Sequence, residues 1–228
     1  MNKLLDKILL SHNVVEDFYK EYNTNIEFKV WLDKTIREIK LCEQLKQNNP
    51  WHIYNVLGHI LHSVEEMNKQ SKDLPLNDRR ILAYTMLFHD IGKPEKHITR
   101  QKDGVIIDSF FDHNIASENI AKLRLPNLKF SNKEIEIISK LVFKHDIFMF
   151  IKYDGFVNRF QRRFSKELVL DEIEDMSSLG DGVKYMKYLV MVGRADNLAQ
   201  NPEKTADSLK LLTKFDEVID SIEQTKNI

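Results

Sequence analysis

The sequence predicts an all-α helical bundle, on three observations. Gly and Pro number only 7 and 5 in 228 residues, about half of ordinary usage, so the punctuators that strand-turn-strand architectures need are scarce. Apolar residues recur at helical spacing through most of the chain. Only residues 97–110 read differently: HITRQ and VIIDSF flank Lys102, Asp103 and Gly104, a hairpin signature, so at most a small β-ribbon is expected there.

No internal repeat, low-complexity tract or Pro/Ser-rich linker marks a boundary. The expected organisation is an N-terminal helical extension over residues 1–48, packed on the core, and a domain over residues 49–228 that includes the C-terminal helices. Phe28, Trp31, Leu32, Ile39 and Cys42 share one face and predict a single amphipathic helix over about 26–46, stopped by Asn48, Asn49 and Pro50. The next helix is striped by Ile53, Val56, Leu57, Ile60, Leu61 and Val64. Further helical patterns cover about 77–90, 113–125, 131–146, 181–200 and 203–224, the last striped by Leu211, Leu212, Phe215, Val218, Ile219 and Ile222.

A charged fraction of 30% with a net charge of -1 describes an ordinary solvated surface, so any contact with nucleic acid has to be local. The opening MNKLLDKILL is interrupted by Asp6 and Lys7 and does not make a signal segment, and no run approaches the roughly 20 apolar residues of a membrane span. No membrane partner and a cytoplasmic location are expected. Cys42, the one cysteine, excludes an internal disulfide and a thiolate zinc cluster and reads as a packing residue. There is no GxxxxGK[ST] loop, GxGxxG turn or GxSxG elbow, so kinase, dehydrogenase and serine hydrolase chemistry lack support.

The informative residues are polar groups on apolar faces. Asp196 falls on the face of Tyr185, Tyr188, Leu189, Val192 and Ala199, where a leucine would be expected. A carboxylate buried there must be protonated, paired or metal-bound. His145 shares a face with Ile135, Ile138 and Val142, and His113 with Ala116, Ile120 and Leu123. His59 lies opposite its own helix's stripe, which by itself reads as a solvated histidine. His89 and Asp90 end the run ILAYTMLF just before Gly92 and Pro94, so both reach out from a helix C-terminus. Imidazole and carboxylate together suit Zn, Fe, Mn or Ni.

The run LFHDIGKPE resembles the defining motif of the HD superfamily of metal-dependent phosphohydrolases: a histidine, an adjacent His-Asp pair and a distant aspartate. His59 in VLGHILHS stands 30 residues before His89, and Asp196 in VGRADNLA lies far downstream. Residues 49–200 are similar to the HD domains attached to bacterial CCA-adding tRNA nucleotidyltransferases. The 48 residues before them are too few for the nucleotidyltransferase catalytic domain, so CCA addition itself is not expected. The resemblance implies a helical HD-domain bundle in which His59, His89, Asp90 and Asp196 hold a first ion. His113 and His145 would hold a second, bridged by Asp90. One or two divalent ions are implied, Fe, Mn, Ni, Co or Zn, with Mg also admitted. Binuclear members often carry two successive histidines where this chain has His145 and Asp146, which leaves second-site occupancy open; His52 competes with His59 for the first role.

Asp90 and Lys93 are the implied catalytic residues, Lys93 pairing with substrate phosphate, and replacing Lys93 is expected to cut turnover with little change in melting temperature. Arg159 and Arg163, with Arg162 and Lys166 beside Phe156, Phe160 and Phe164, form a composition suited to a nucleotide's phosphate and base. The alternative is that the phenylalanines are a core stripe and the arginines pair with Glu167, Asp171 and Glu172. The apolar segment 147–156 reads either as a lid or as a loop buried on the core. The expected activity is hydrolysis of a phosphorylated small molecule, nucleotide or RNA end. The competing readings are a non-catalytic RNA-binding HD module and a di-iron oxygenase.

Overall fold

The computed structural model of the chain describes residues 1–102 and 104–226. The described residues are 71% helical, in eleven α-helices with two very small sheets. In chain order the helices are α1 (Asn2–Leu9), α2 (Val14–Thr24), α3 (Ile26–Thr35), α4 (Glu38–Gln44), α5 (Val56–Ser71), α6 (Leu76–His89), α7 (His113–Arg124), α8 (Asn132–Lys144), α9 (Lys166–Met176), α10 (Gly182–Leu198) and α11 (Ala206–Lys226). The all-α expectation holds, with the ribbon where the hairpin signature puts it: β1 (Ile98–Lys102) pairs antiparallel with β2 (Val105–Ser109). Gly104 takes φ +80° in the connecting turn, a left-handed value that favours glycine; Asp103 lies outside the described residues. A second, two-residue parallel pairing joins β3 (Ile151–Lys152) to β4 (Arg162–Arg163).

α6 is the central rod. Every residue from Ile81 to His89 is buried, which is why ILAYTMLF shows no polar face. α5, α8 and α10 pack around α6, with α7 against α8. One continuous apolar cluster runs from Leu5 in α1 to Ile222 in α11. The first four helices are tied to it by polar clamps as well: Asp6 accepts from Arg80 and Tyr84, Asn68 donates to the carbonyls of Leu9 and Ser11, and Glu38 pairs with Arg124 at 2.8 Å.

Three local expectations are corrected. The helix expected over 26–46 is two helices, because Ile36 leaves helical geometry at φ -134° and ψ 70°. Two β-branched residues meet there, the Thr35 hydroxyl bonds the Trp31 carbonyl, and the turn sends Ile36 fully into the core. Ile53 is 56% exposed because α5 begins only at Val56, where the Asn55 side chain caps the Gly58 amide at 2.7 Å. Leu123 is also exposed, so the face shared with His113 is carried by Ala116 and the half-buried Ile120. α9 was not among the expected helices, although Ser165 as its cap and the stripe Leu168, Val169, Ile173 and Met176 signal it. No helix among the described residues is long and apolar enough to cross a membrane.

Candidate metal centre

Five helical segments bring one or two side chains each to a single point. His59 comes from the first turn of α5, His89 is the last residue of α6 and Asp90 its C-cap, His113 opens α7, His145 caps the C-terminus of α8, and Asp196 lies in the last turns of α10. Gly92 sets α7 close against the end of α6. A Cβ there would lie 2.5 Å from the Ser117 nitrogen and 2.6 Å from the His113 carbonyl, and the Gly92 amide donates to Ser117 Oγ at 2.9 Å. The requirement for glycine is close approach, since its φ of -82° is ordinary. Asp112, just before His113, takes the left-handed φ of 61° and turns the chain so that α7 starts pointing its first side chain inward.

The four imidazoles are oriented alike. Each presents Nδ1 to a main-chain carbonyl: His59 to Ala199 at 3.3 Å, His89 to Met86 at 2.7 Å, His113 to Phe110 at 2.8 Å and His145 to Val142 at 2.7 Å. A carbonyl only accepts, so Nδ1 carries the hydrogen and every Nε2 turns inward with its lone pair free for a proton or a metal ion. His59 Nε2 stands 2.9 Å from Asp196 Oδ1 and 3.2 Å from both Asp90 Oδ2 and His89 Nε2; His89 Nε2 stands 3.4 Å from Asp90 Oδ2. On the other side of Asp90, His113 Nε2 lies 3.0 Å and His145 Nε2 3.6 Å from Oδ1, and 3.2 Å from each other.

The donor set fits divalent cations. His59, His89, Asp90 and Asp196 form one group, and Asp90, His113 and His145 another, with all donor atoms of a group within 4.8 Å of one another. Ligand atoms at about 2.1 Å from an ion stand roughly 3.0–3.4 Å apart along octahedral or tetrahedral edges, the range most of these distances occupy. Buried Asp90 Oδ2 faces the Lys93 ammonium at 2.6 Å and His59 Nε2 at 3.2 Å. A fully buried carboxylate set among inward-facing imidazole nitrogens is a donor set that a cation would complete.

The electrostatics point the same way. Burial alone would push protons off His59 and His89, yet Asp196 and Asp90 overcome it and raise both to about 9. Burial opposes ionisation of the two carboxylates, but Lys93 and the histidines hold Asp90, and His59 and His89 hold Asp196, well below the usual range. The pocket is thus built to contain positive charge between two anions. Burial pushes the Cys42 thiol up, and it takes no part.

His59, read from its own helix as solvated, has no exposed surface, because α5 is buried on both faces. Lys93, 4% exposed, is held by Asp90 and by Gln47 Oε1 at 2.9 Å. His52 sits at the rim, its Nε2 3.4 Å from the Lys93 nitrogen and its ring 5.0 Å from that of His59. Burial first, then the Lys93 charge, lower it to about 2. Asp146 Oδ2 lies 3.2 Å from His113 Nε2 and Oδ1 3.4 Å from His145 Nε2. Gln47, His52 and Asp146 thus border the centre; of these, sequence reasoning singled out His52 and Asp146 and missed Gln47.

Arg159 and Arg163 are not brought to the centre. Arg163 donates to the carbonyls of Tyr153 and Gly155, Arg159 lies over the Phe160 ring, and no hydrogen bond or ion pair joins either to the cluster. The core-stripe alternative holds only for Phe164, since Phe156 and Phe160 are exposed. Arg162, by contrast, does pair with Asp171 and Glu172. Segment 147–156 is neither wholly lid nor wholly buried: Phe148 packs on Gly193 and Phe215 and Ile151 is buried, while Met149, Phe150 and Tyr153 remain exposed. No known protein-family profile matches the chain.

Proposed function

We propose that the protein is a metal-dependent phosphoric ester hydrolase of the HD superfamily, acting on a nucleotide-like phosphomonoester or cyclic phosphodiester. The observation that supports this reading best is the buried Lys93 ammonium set 2.6 Å from Asp90, the carboxylate shared by both candidate ligand groups. His59, His89, Asp90 and Asp196 would hold one ion, and Asp90, His113 and His145 a second. A divalent ion in such a pocket supplies Lewis acidity, ionises water at neutral pH and neutralises phosphate charge. Asp90 keeps its anionic form and fixes the spacing of the two groups. Lys93, anchored by Asp90 and Gln47, offers a fixed positive charge to a phosphoryl oxygen, electrostatics arranged before the substrate arrives. That fixed cation suits an anionic ester.

The test combines metal analysis of the purified protein with phosphate release from nucleotides, cyclic nucleotides and phosphosugars. At least one bound divalent ion is expected, with release that is lost in chelator and in Asp90→Ala. Metal-loaded protein inert on every phosphoester would overturn the enzymatic reading, and a coloured iron protein consuming oxygen would replace it.

A further inference from the structure

The loop between β3 and β4 is shaped by its own bonds. Its ends meet in the pairing of Ile151 with Arg162 and Lys152 with Arg163, and the Phe164 amide donates to the Lys152 carbonyl at 2.9 Å. Arg163 reaches across to the carbonyls of Tyr153 at 3.3 Å and Gly155 at 2.6 Å, and Asn158 accepts from the amides of Phe160 and Gln161. Compact closed loops of this kind are frequently functional. Phe164 anchors the loop on Phe215, with ring centroids 5.1 Å apart. Yet the same loop presents Phe156 at 87% and Phe160 at 66% exposure, so two large rings are held in water by a closed backbone.

Charge accompanies the rings. Residues 150–166 contain five cationic side chains and one carboxylate, in a chain whose net charge is -1. Arg162 is neutralised by Glu172 and Asp171, and Arg163 bonds carbonyls that leave its charge in place. Lys152, Arg159 and Lys166 have no ion-pair partner among the described residues; the Arg159 guanidinium lies 4.5 Å from the Phe160 ring centre. Exposed rings interleaved with uncompensated cations are the composition that stacks bases and tracks phosphates.

We propose that this loop binds single-stranded nucleic acid, with bases stacking on Phe156 and Phe160 and phosphates meeting Lys152, Arg159 and Arg163. A lipid surface is the competing occupant that the test separates. A duplex is disfavoured because its bases are already stacked. The proposal is independent of the metal centre.

The test is fluorescence anisotropy of a labelled 12-nucleotide oligouridylate with the full chain in EDTA, so that metal chemistry plays no part. Wild type should bind, with affinity falling with salt at a log-log slope of about -2 for three phosphate contacts. Phe156→Ala with Phe160→Ala should weaken binding by about thirtyfold or more, and Arg159→Glu should weaken it and flatten the salt slope, both with unchanged circular dichroism. No binding up to about 100 μM protein would overturn the proposal. So would unchanged affinity in the double variant, equal binding of duplex, or capture by phosphatidylglycerol vesicles without capture of the oligonucleotide.

Discussion

Replacing Lys93 by methionine keeps most of the side-chain volume and removes one charge from a pair 2.6 Å apart, whose members are 4% and 2% exposed. Breaking a buried pair by deleting one partner typically costs about 3–5 kcal/mol, because the remaining charge is left uncompensated. Protons held by His59 and His89 partly neutralise Asp90 from the other side, so the lower end applies, about 3 kcal/mol. At roughly 2–4 °C per kcal/mol for a chain of this size, the melting temperature in EDTA should fall by roughly 6–12 °C. The sequence alone suggested almost no change; burial of Lys93 reverses that expectation. A divalent ion supplies the missing positive charge, so in saturating manganese the gap should shrink to less than half. The exposed pair of Lys210 and Asp154 provides the control, since Lys210→Met should move the melting temperature by less than about 2 °C. Equal melting of wild type and Lys93→Met in EDTA would refute the reasoning.

Other outcomes follow from the same geometry. Gly92→Ala places a methyl group 2.5–2.6 Å from α7 backbone atoms, so it should cost about 1–3 kcal/mol in a urea unfolding curve; by displacing His113 it should also weaken binding of a second ion more than a first in a metal titration. Metal-free His59 and His89 titrate near 9, so their contribution to stability is full below their ordinary value of 6.5 and is lost as pH rises through about 9. Ion affinity should rise over that same window, and calorimetry in buffers of different ionisation enthalpy should count the protons released. Asp108 is held below its ordinary value of 3.8, against burial, by His97, the Asn48 amide and Thr99. The stability difference between wild type and Asp108→Asn should therefore be present at pH 7 and disappear as pH falls below 3.8, read by urea midpoints at the two extremes.

The legible features were those whose signal is local. α5, α6, α7, α8, α10 and α11 follow from apolar periodicity and Gly or Pro stops, and Asp196 and His145 stood out because each interrupts an apolar face. His59 did not stand out by itself. Its helix presents one aliphatic stripe, and only the packing of α10 against the other face, set by contacts far apart in sequence, buries it. The burial of Lys93 was not legible for the same reason: Gln47, 46 residues earlier, completes its cage. The break at Ile36 escaped notice because helical periodicity continues across it while the helix axis does not. Phe156 and Phe160 keep a spacing of four that mimics a core stripe, and exposure, which decides between packing and presentation, is not encoded in spacing.

The carbonyls that orient His89 and His145 lie three residues before them, in the last turns of α6 and α8, and the Val142 oxygen accepts from the His145 amide as well as from its ring. Ligand geometry and the integrity of two helix ends are therefore one property. If the proposed ion binds, removing it should let these turns fray, speeding amide exchange there selectively, whereas filling the pocket should tighten them. Cofactor content would then be reported by backbone dynamics at the tips of two rods, without any rearrangement of the bundle they support.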